Sequence, residues 1–124
     1  MGYKRPRSYA IQCAHQNKDY ADSTTYYWGN FSALAPSSVE KSTSIPIPIN
    51  GNIRKVALYF YVGTVGSSED IEFYIRVNAT TDYVISTTVK MDLAATQYVV
   101  VLNESLNIPV VAGDTIQIKM VTPA

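Results

Sequence analysis

From Ser8 onward, apolar and polar positions alternate with a period of two, the spacing of strands that turn one face to a core and one to water. Tyr9, Ile11 and Cys13 alternate with Ala10, Gln12 and Ala14, which predicts a short first strand ending at His15. Gln16 to Ser23 is a polar connection, followed by the β-rich run Thr24 to Trp28 and a break at Gly29-Asn30. Phe31 to Glu40 holds Pro36 and Ser37-Ser38 without a steady period and reads as loop. In Ser44 to Ile49, Ile45, Ile47 and Ile49 share one face, with Pro46 and Pro48 on the other. Proline has no ladder donor, so this segment belongs at a sheet edge.

Asn50-Gly51-Asn52 is the strongest turn signal in the chain and predicts a tight hairpin into Ile53–Val62. Along that run Val56, Leu58, Phe60 and Val62 share one face while Ala57, Tyr59 and Tyr61 share the other. Both faces are largely apolar, which predicts a central strand. After a Gly63 to Asp70 loop, Ile71, Phe73, Ile75 and Val77 alternate with Glu72, Tyr74 and Arg76, one face for the core and one for water. Asn78 to Asp82 supplies turn formers. Tyr83 to Met91, Thr96 to Leu102 and Thr115 to Val121 give three more strands, with a short piece at Ile108 to Val111 before a turn at Gly113-Asp114. About eight strands at this spacing and no convincing helix predict an all-β antiparallel sandwich of jelly-roll type. Residues 8–124 form its single domain, and residues 1–7 form a separate arm.

Composition sharpens this picture. The 124 residues are 47% hydrophobic and only 16% charged, against about 25% charged in an average domain. Such a surface must be covered by Ser, Thr, Asn, Gln and Tyr, and the chain is neither a disordered tail, a coiled coil nor a general nucleic-acid binder. Ten tyrosines stand against three phenylalanines and one tryptophan; the tyrosine ring and hydroxyl suit half-buried strand faces and surfaces where subunits meet. The longest mostly apolar stretch, Val56 to Val62, is too short to cross a bilayer, and the N-terminus lacks a secretory apolar region. Pro6 occupies the position where a myristoylation signal needs Ser or Thr. No membrane partner is expected. Lys4, Arg5 and Arg7 leave the rest of the chain at a formal minus three, a basic arm on a mildly acidic body.

Candidate chemistry is sparse. Cys13, the single cysteine, cannot form an internal disulfide, and His15, the single histidine, cannot build a histidine-rich metal site. The two lie on one face of the first predicted strand, but no third group orients the imidazole, and a buried thiol beside a strand-end histidine accounts for them. Glu69, Asp70 and Glu72 could bind calcium if carbonyls joined them, but alternation puts Asp70 and Glu72 on one solvent face, and a solvated strand end is the favoured reading. No calcium-loop, phosphate-loop or H-E-x-x-H pattern occurs. The expectation is no enzyme, no catalytic residues, no metal and no cofactor. Three N-x-S/T sequons, at Asn30, Asn78 and Asn103, read as turn chemistry. In the arm, Tyr3, Lys4, Arg5 and Arg7 are the candidate partner-binding residues, with an acidic protein rim expected before nucleic acid. Tyr26, Tyr27, Trp28, Tyr59 and Tyr61 are candidate interface aromatics, or rings on which a sugar stacks.

Four stretches taken in order resemble a family of small structural proteins of tailed bacteriophages: Asp22 to Gly29 (DSTTYYWG), Ile45 to Ile53 (IPIPINGNI), Phe73 to Asp82 (FYIRVNATTD) and Asn107 to Pro123 (NIPVVAGDTIQIKMVTP). The resemblance covers the sandwich and excludes the arm. It implies a virion component of head-decoration, head-fibre or tail-fibre type with other virion proteins as partners; the two-sided apolar strand Ile53–Val62 itself predicts a homo-oligomer, and the resemblance implies that this is a trimer. Family members continue past the Thr-Pro that corresponds to Thr122-Pro123 into a further strand, so a neighbouring subunit supplying an edge strand is one expectation and a sheet ending there is the other. A carbohydrate-binding or host-attachment module, with a host surface glycan as partner, is the alternative.

Overall fold

The computed structural model describes residues 10–11, 23–29, 44–62, 70–90 and 97–123, with 60–62, 89–90 and 97–99 described by their backbone alone. The protein is all-β. Nine antiparallel strands and no helix occur among the described residues: β1 (Thr25–Trp28), β2 (Ile45–Pro46), β3 (Gly51–Ile53), β4 (Val56–Val62), β5 (Asp70–Val77), β6 (Thr81–Lys90), β7 (Gln97–Asn103), β8 (Ile108–Val110) and β9 (Thr115–Val121).

The strands pair as one folded-back ribbon. β5 and β6 meet at a turn where Asn78 and Ala79 both have positive φ, 54° and 56°, and Thr80 N–H donates to the Val77 carbonyl at 3.1 Å. Two successive left-handed residues match the right-handed twist of the flanking strands, which is why such turns close hairpins. Outward from this turn β4 pairs with β7, β3 with β8 and β2 with β9. The other edge of β9 pairs with β5, and β1 lies along the β2 side of β9, Trp28 facing Ile118 and Ile45 facing Ile116. The largest sheet thus runs β1-β9-β5-β6.

The predicted alternation of β5 holds: Ile71, Phe73, Ile75 and Val77 are buried and the residues between them half-buried. Phe73, 1% exposed, sits at the centre of the core, with Trp28 edge-on to it at 6.2 Å. The β5–β6 register shifts twice, between Ile71 and Phe73 and between Phe73 and Tyr74, and at the second shift β6 gains one residue, since Tyr74 faces Val84 but Phe73 faces Ser86. The extra residue, Ile85, is buried. Its carbonyl accepts a hydrogen bond from Asn103 Nδ2 at 3.0 Å, so the end of β7 satisfies the break in the β5–β6 ladder.

Two sequence expectations are corrected. Asn50-Gly51-Asn52 is not a hairpin turn: Gly51 lies in β3 outside the left-handed region and faces Val110, and Asn50 Oδ1 instead accepts the Ala112 N–H at 2.8 Å. Pairing with β8 supplies ladder partners and buries Ile108, so tertiary pairing overrides a local turn preference. Nor is Ile53–Val62 a central strand buried on both faces. It divides at Arg54-Lys55, because from Ile53 to Val56 is three residues while the opposite side runs five, from Ile108 to Asn103. Beyond the division β4 pairs, among the described residues, with β7 alone.

The isoleucine–proline segment is shorter than expected as well. Only Ile45–Pro46 join the ladder; Ile47 is buried and bonds the turn at Gly113-Asp114, while Ile49 is exposed. That turn is as predicted, with Gly113 at φ 96°. Of the expected first strand, Ala10 and Ile11 are exposed and in no strand, and the rest lies outside the described residues, as do the arm and the 31–40 loop.

Candidate functional site

Two outward sheet surfaces differ in chemistry. On the sheet of β1, β9, β5 and β6, residues opposite one another across the ladder form a row, Tyr27, Lys119, Tyr74 and Val84. Next to it Arg76 faces Asp82. Asp82 accepts from Arg76 Nη1 at 2.9 Å and from Lys119 Nζ at 2.6 Å, tying β6 to β5 and β9. The Arg76 guanidinium also donates to the Ala79 carbonyl at 2.9 Å and lies 6.0 Å from the Tyr27 ring centre, and Lys119 Nζ lies 5.3 Å from that of Tyr74. The Tyr74 hydroxyl donates to Glu72 Oε1. That bond, with burial and the carboxylate charges of Glu72 and Asp82 behind it, pushes the Tyr74 phenol up to about 12.

The outward side of β4 and β7 is aliphatic. Tyr59 faces Val100 and Ala57 faces Leu102, and the three larger side chains are 68%, 65% and 59% exposed respectively for Tyr59, Val100 and Leu102. The opposite side of the same ribbon, Val56, Leu58 and Val101, packs on the core. Alternation continues beyond the strand ends to Lys55 and Glu104, paired at 3.6 Å and both exposed. This is the candidate functional surface: an apolar patch with one ion pair at its end.

A third cluster, where the turn at Gly113 meets the turn at Asn78, is a clasp. Asp114 accepts from Asn78 Nδ2 at 3.0 Å and from Val111 N–H at 2.9 Å, and Asn78 Oδ1 accepts Thr115 N–H at 2.9 Å. The Asn78 amide first and the Val111 N–H second hold the Asp114 carboxyl below its ordinary range. Asn78 and Asn103 thus perform the turn chemistry read from their sequons, Asn103 Oδ1 accepting Ser105 N–H at 2.9 Å; Asn30 lies outside the described residues.

The candidate aromatics scatter. Tyr26 and Trp28 are core residues, which corrects their reading as exposed stacking rings: alternation along β1 sends them inward and leaves only Tyr27 on the outer face. Tyr59 is exposed, and Tyr61 is placed by its backbone opposite Tyr98. Tyr3, Lys4, Arg5, Arg7, Cys13, His15 and Glu69 lie outside the described residues. Sequence reasoning missed Val100 and Leu102. Their signal was present, since Val99–Leu102 is apolar on both faces just as Val56–Val62 is.

No family model, curated protein or solved structure matches this chain.

Proposed function

We propose that this chain is a non-enzymatic structural component of a tailed-bacteriophage particle, a capsid-decoration, head-fibre or tail-fibre subunit that works in the virion through subunit–subunit contacts. Its body is read as a jelly-roll sandwich. That reading is supported by the nesting of β2–β9, β3–β8, β4–β7 and β5–β6 around one turn, the pairing that a long hairpin acquires when it is rolled up.

The observation that carries the functional reading is the β4–β7 surface. A glycan site needs exposed rings with amide or carboxylate groups beside them, because sugar hydroxyls demand hydrogen-bond partners. Along the ladder Tyr59 has Val100 opposite it, Ala57 and Leu102 in the next row and the backbone of Tyr61 and Tyr98 in the row on its other side, and the charges of Lys55 and Glu104 stand two rows away, roughly 13 Å along the strands. An apolar sheet face of this kind favours burial against protein over sugar binding. The basic arm, with Tyr3, Lys4, Arg5 and Arg7, would add a second contact to other virion proteins.

Mass spectrometry of purified particles from the culture that carries the gene, with immunogold labelling by antibody to this chain, tests the proposal. Labelled heads or tails are expected. Particles devoid of the chain while the cells contain it would refute it.

A further inference from the structure

Resting on the assembly reading above, we infer that the occupant of the β4–β7 face is a second copy of this chain, packed face to face about a two-fold axis running along the strands. Such an axis lays β4 of one copy over β7 of the other and keeps each cross-strand row level. Three rows on this face are complementary to themselves under that operation. Tyr59 meets Val100 of the second copy, and Ala57 meets Leu102, so in these two rows a larger side chain stands over a smaller one.

The charges agree with the same axis. Lys55 and Glu104 lie at one end of the ribbon on the face that carries Ala57 and Leu102. With the axis along the strands, the four groups of the two copies alternate in sign around a square, each ammonium next to one carboxylate of its own chain and one of the other. An axis across the strands would send Lys55 to the far end of the partner ribbon and lose this. Sheets stacked face to face lie about 10 Å apart with strands within about 30° of alignment, a gap that a lysine and a glutamate side chain together span. A patch of three rows on two strands is small beside the roughly 800 Å² per partner of a standard stable interface, so the pairing is weak in isolation and is reinforced by neighbours in an assembly. The two-fold contact departs from the trimer that the resemblance implies.

Charge reversal in the full chain, read by sedimentation at low salt, tests this. Lys55→Glu and Glu104→Lys, each alone, place like charges around the square and are expected to weaken self-association about fivefold, with less effect at high salt. Mixing the two variants restores association. The double reversal, which keeps the net charge unchanged, also restores it; melting temperatures verify that each variant is folded. Single reversals that associate like the parent chain, or a parent chain that is trimeric, would overturn the two-fold pairing and leave the assembly reading standing. A parent chain monomeric at about 200 µM would overturn the pairing and count against self-assembly itself.

Discussion

On the outward side of β5 and β9, Arg76, Lys119 and Glu72 each have a carboxylate, a ring or a hydroxyl beside them, whereas the matching positions on β4 and β7 carry Ala57, Tyr59, Val100 and Leu102. Both surfaces alternate with core residues on the same strands, so the difference does not arise from the fold. It lies in what each surface is complete against. The first is half-buried, Arg76 and Lys119 each 18% exposed at the side chain, with its charges compensated internally, and the second exposes apolar area whose burial between subunits would return about 25 cal/mol per Å².

The largest effect expected from breaking this contrast comes from the core beneath both surfaces. Phe73→Ala, at a side chain 1% exposed, should cost about 3–5 kcal/mol in urea denaturation of the monomer. Tyr59→Ser on the exposed face should change the same measurement by less than about 0.5 kcal/mol. Comparable costs at the two positions would mean that Tyr59 belongs to the fold and not to an interface.

Next in size is the tie between the two regions. Asn103→Ala removes the donor to the bulged Ile85 carbonyl, and an unsatisfied, partly buried acceptor should cost about 1–3 kcal/mol. Hydrogen exchange should rise at the bulge first; protection unchanged there would show that the bond does not hold the ribbon to the sheet.

Smaller still is the compensated surface. Asp82→Ala leaves Arg76 and Lys119 without their shared carboxylate. Because Asp82 is 27% exposed at its side chain, the expected loss is roughly 1 kcal/mol, shrinking as salt is added. Denaturation midpoints that do not move at any salt concentration would count against this network.

The pH effects are the finest. Tyr74, at about 12, keeps its proton in the folded chain above the ordinary tyrosine value. The stability it contributes is present below that ordinary value and is lost as pH rises toward about 12. Absorbance titration should show a late-ionising tyrosine that Glu72→Gln makes ionise earlier. For Asp114 the sign is reversed: its lowered value means stability present above the ordinary carboxylate range and lost as pH falls through the folded value. The stability difference between the parent and Asp114→Ala should therefore narrow in acid.

Much of this architecture was legible in the chain because strand alternation is a local signal. β5, β9 and the turns at Asn78 and Gly113 stand where period two and turn chemistry place them. What escaped depends on partners distant in sequence. Asn50-Gly51 carries every local mark of a hairpin, yet β8, some sixty residues on, captures it. Val56–Val62 is apolar on both faces, which is what a strand buried on both sides requires and equally what an interface strand requires; only exposure separates the two. Arg76, Asp82 and Lys119 show no spacing from which their convergence could be read, since the pairing of β9 with β5 joins strands far apart in sequence.

The most direct test is sedimentation velocity on the full chain and on Leu102→Glu at matched concentrations up to about 200 µM. A charge at the centre of a buried apolar contact is costly, whereas on an exposed strand face it costs the monomer little. The parent chain should sediment as more than one copy and Leu102→Glu as a monomer with an unchanged melting temperature. A monomeric parent, or equal masses for the two chains, would contradict the assignment of the β4–β7 surface as a subunit contact.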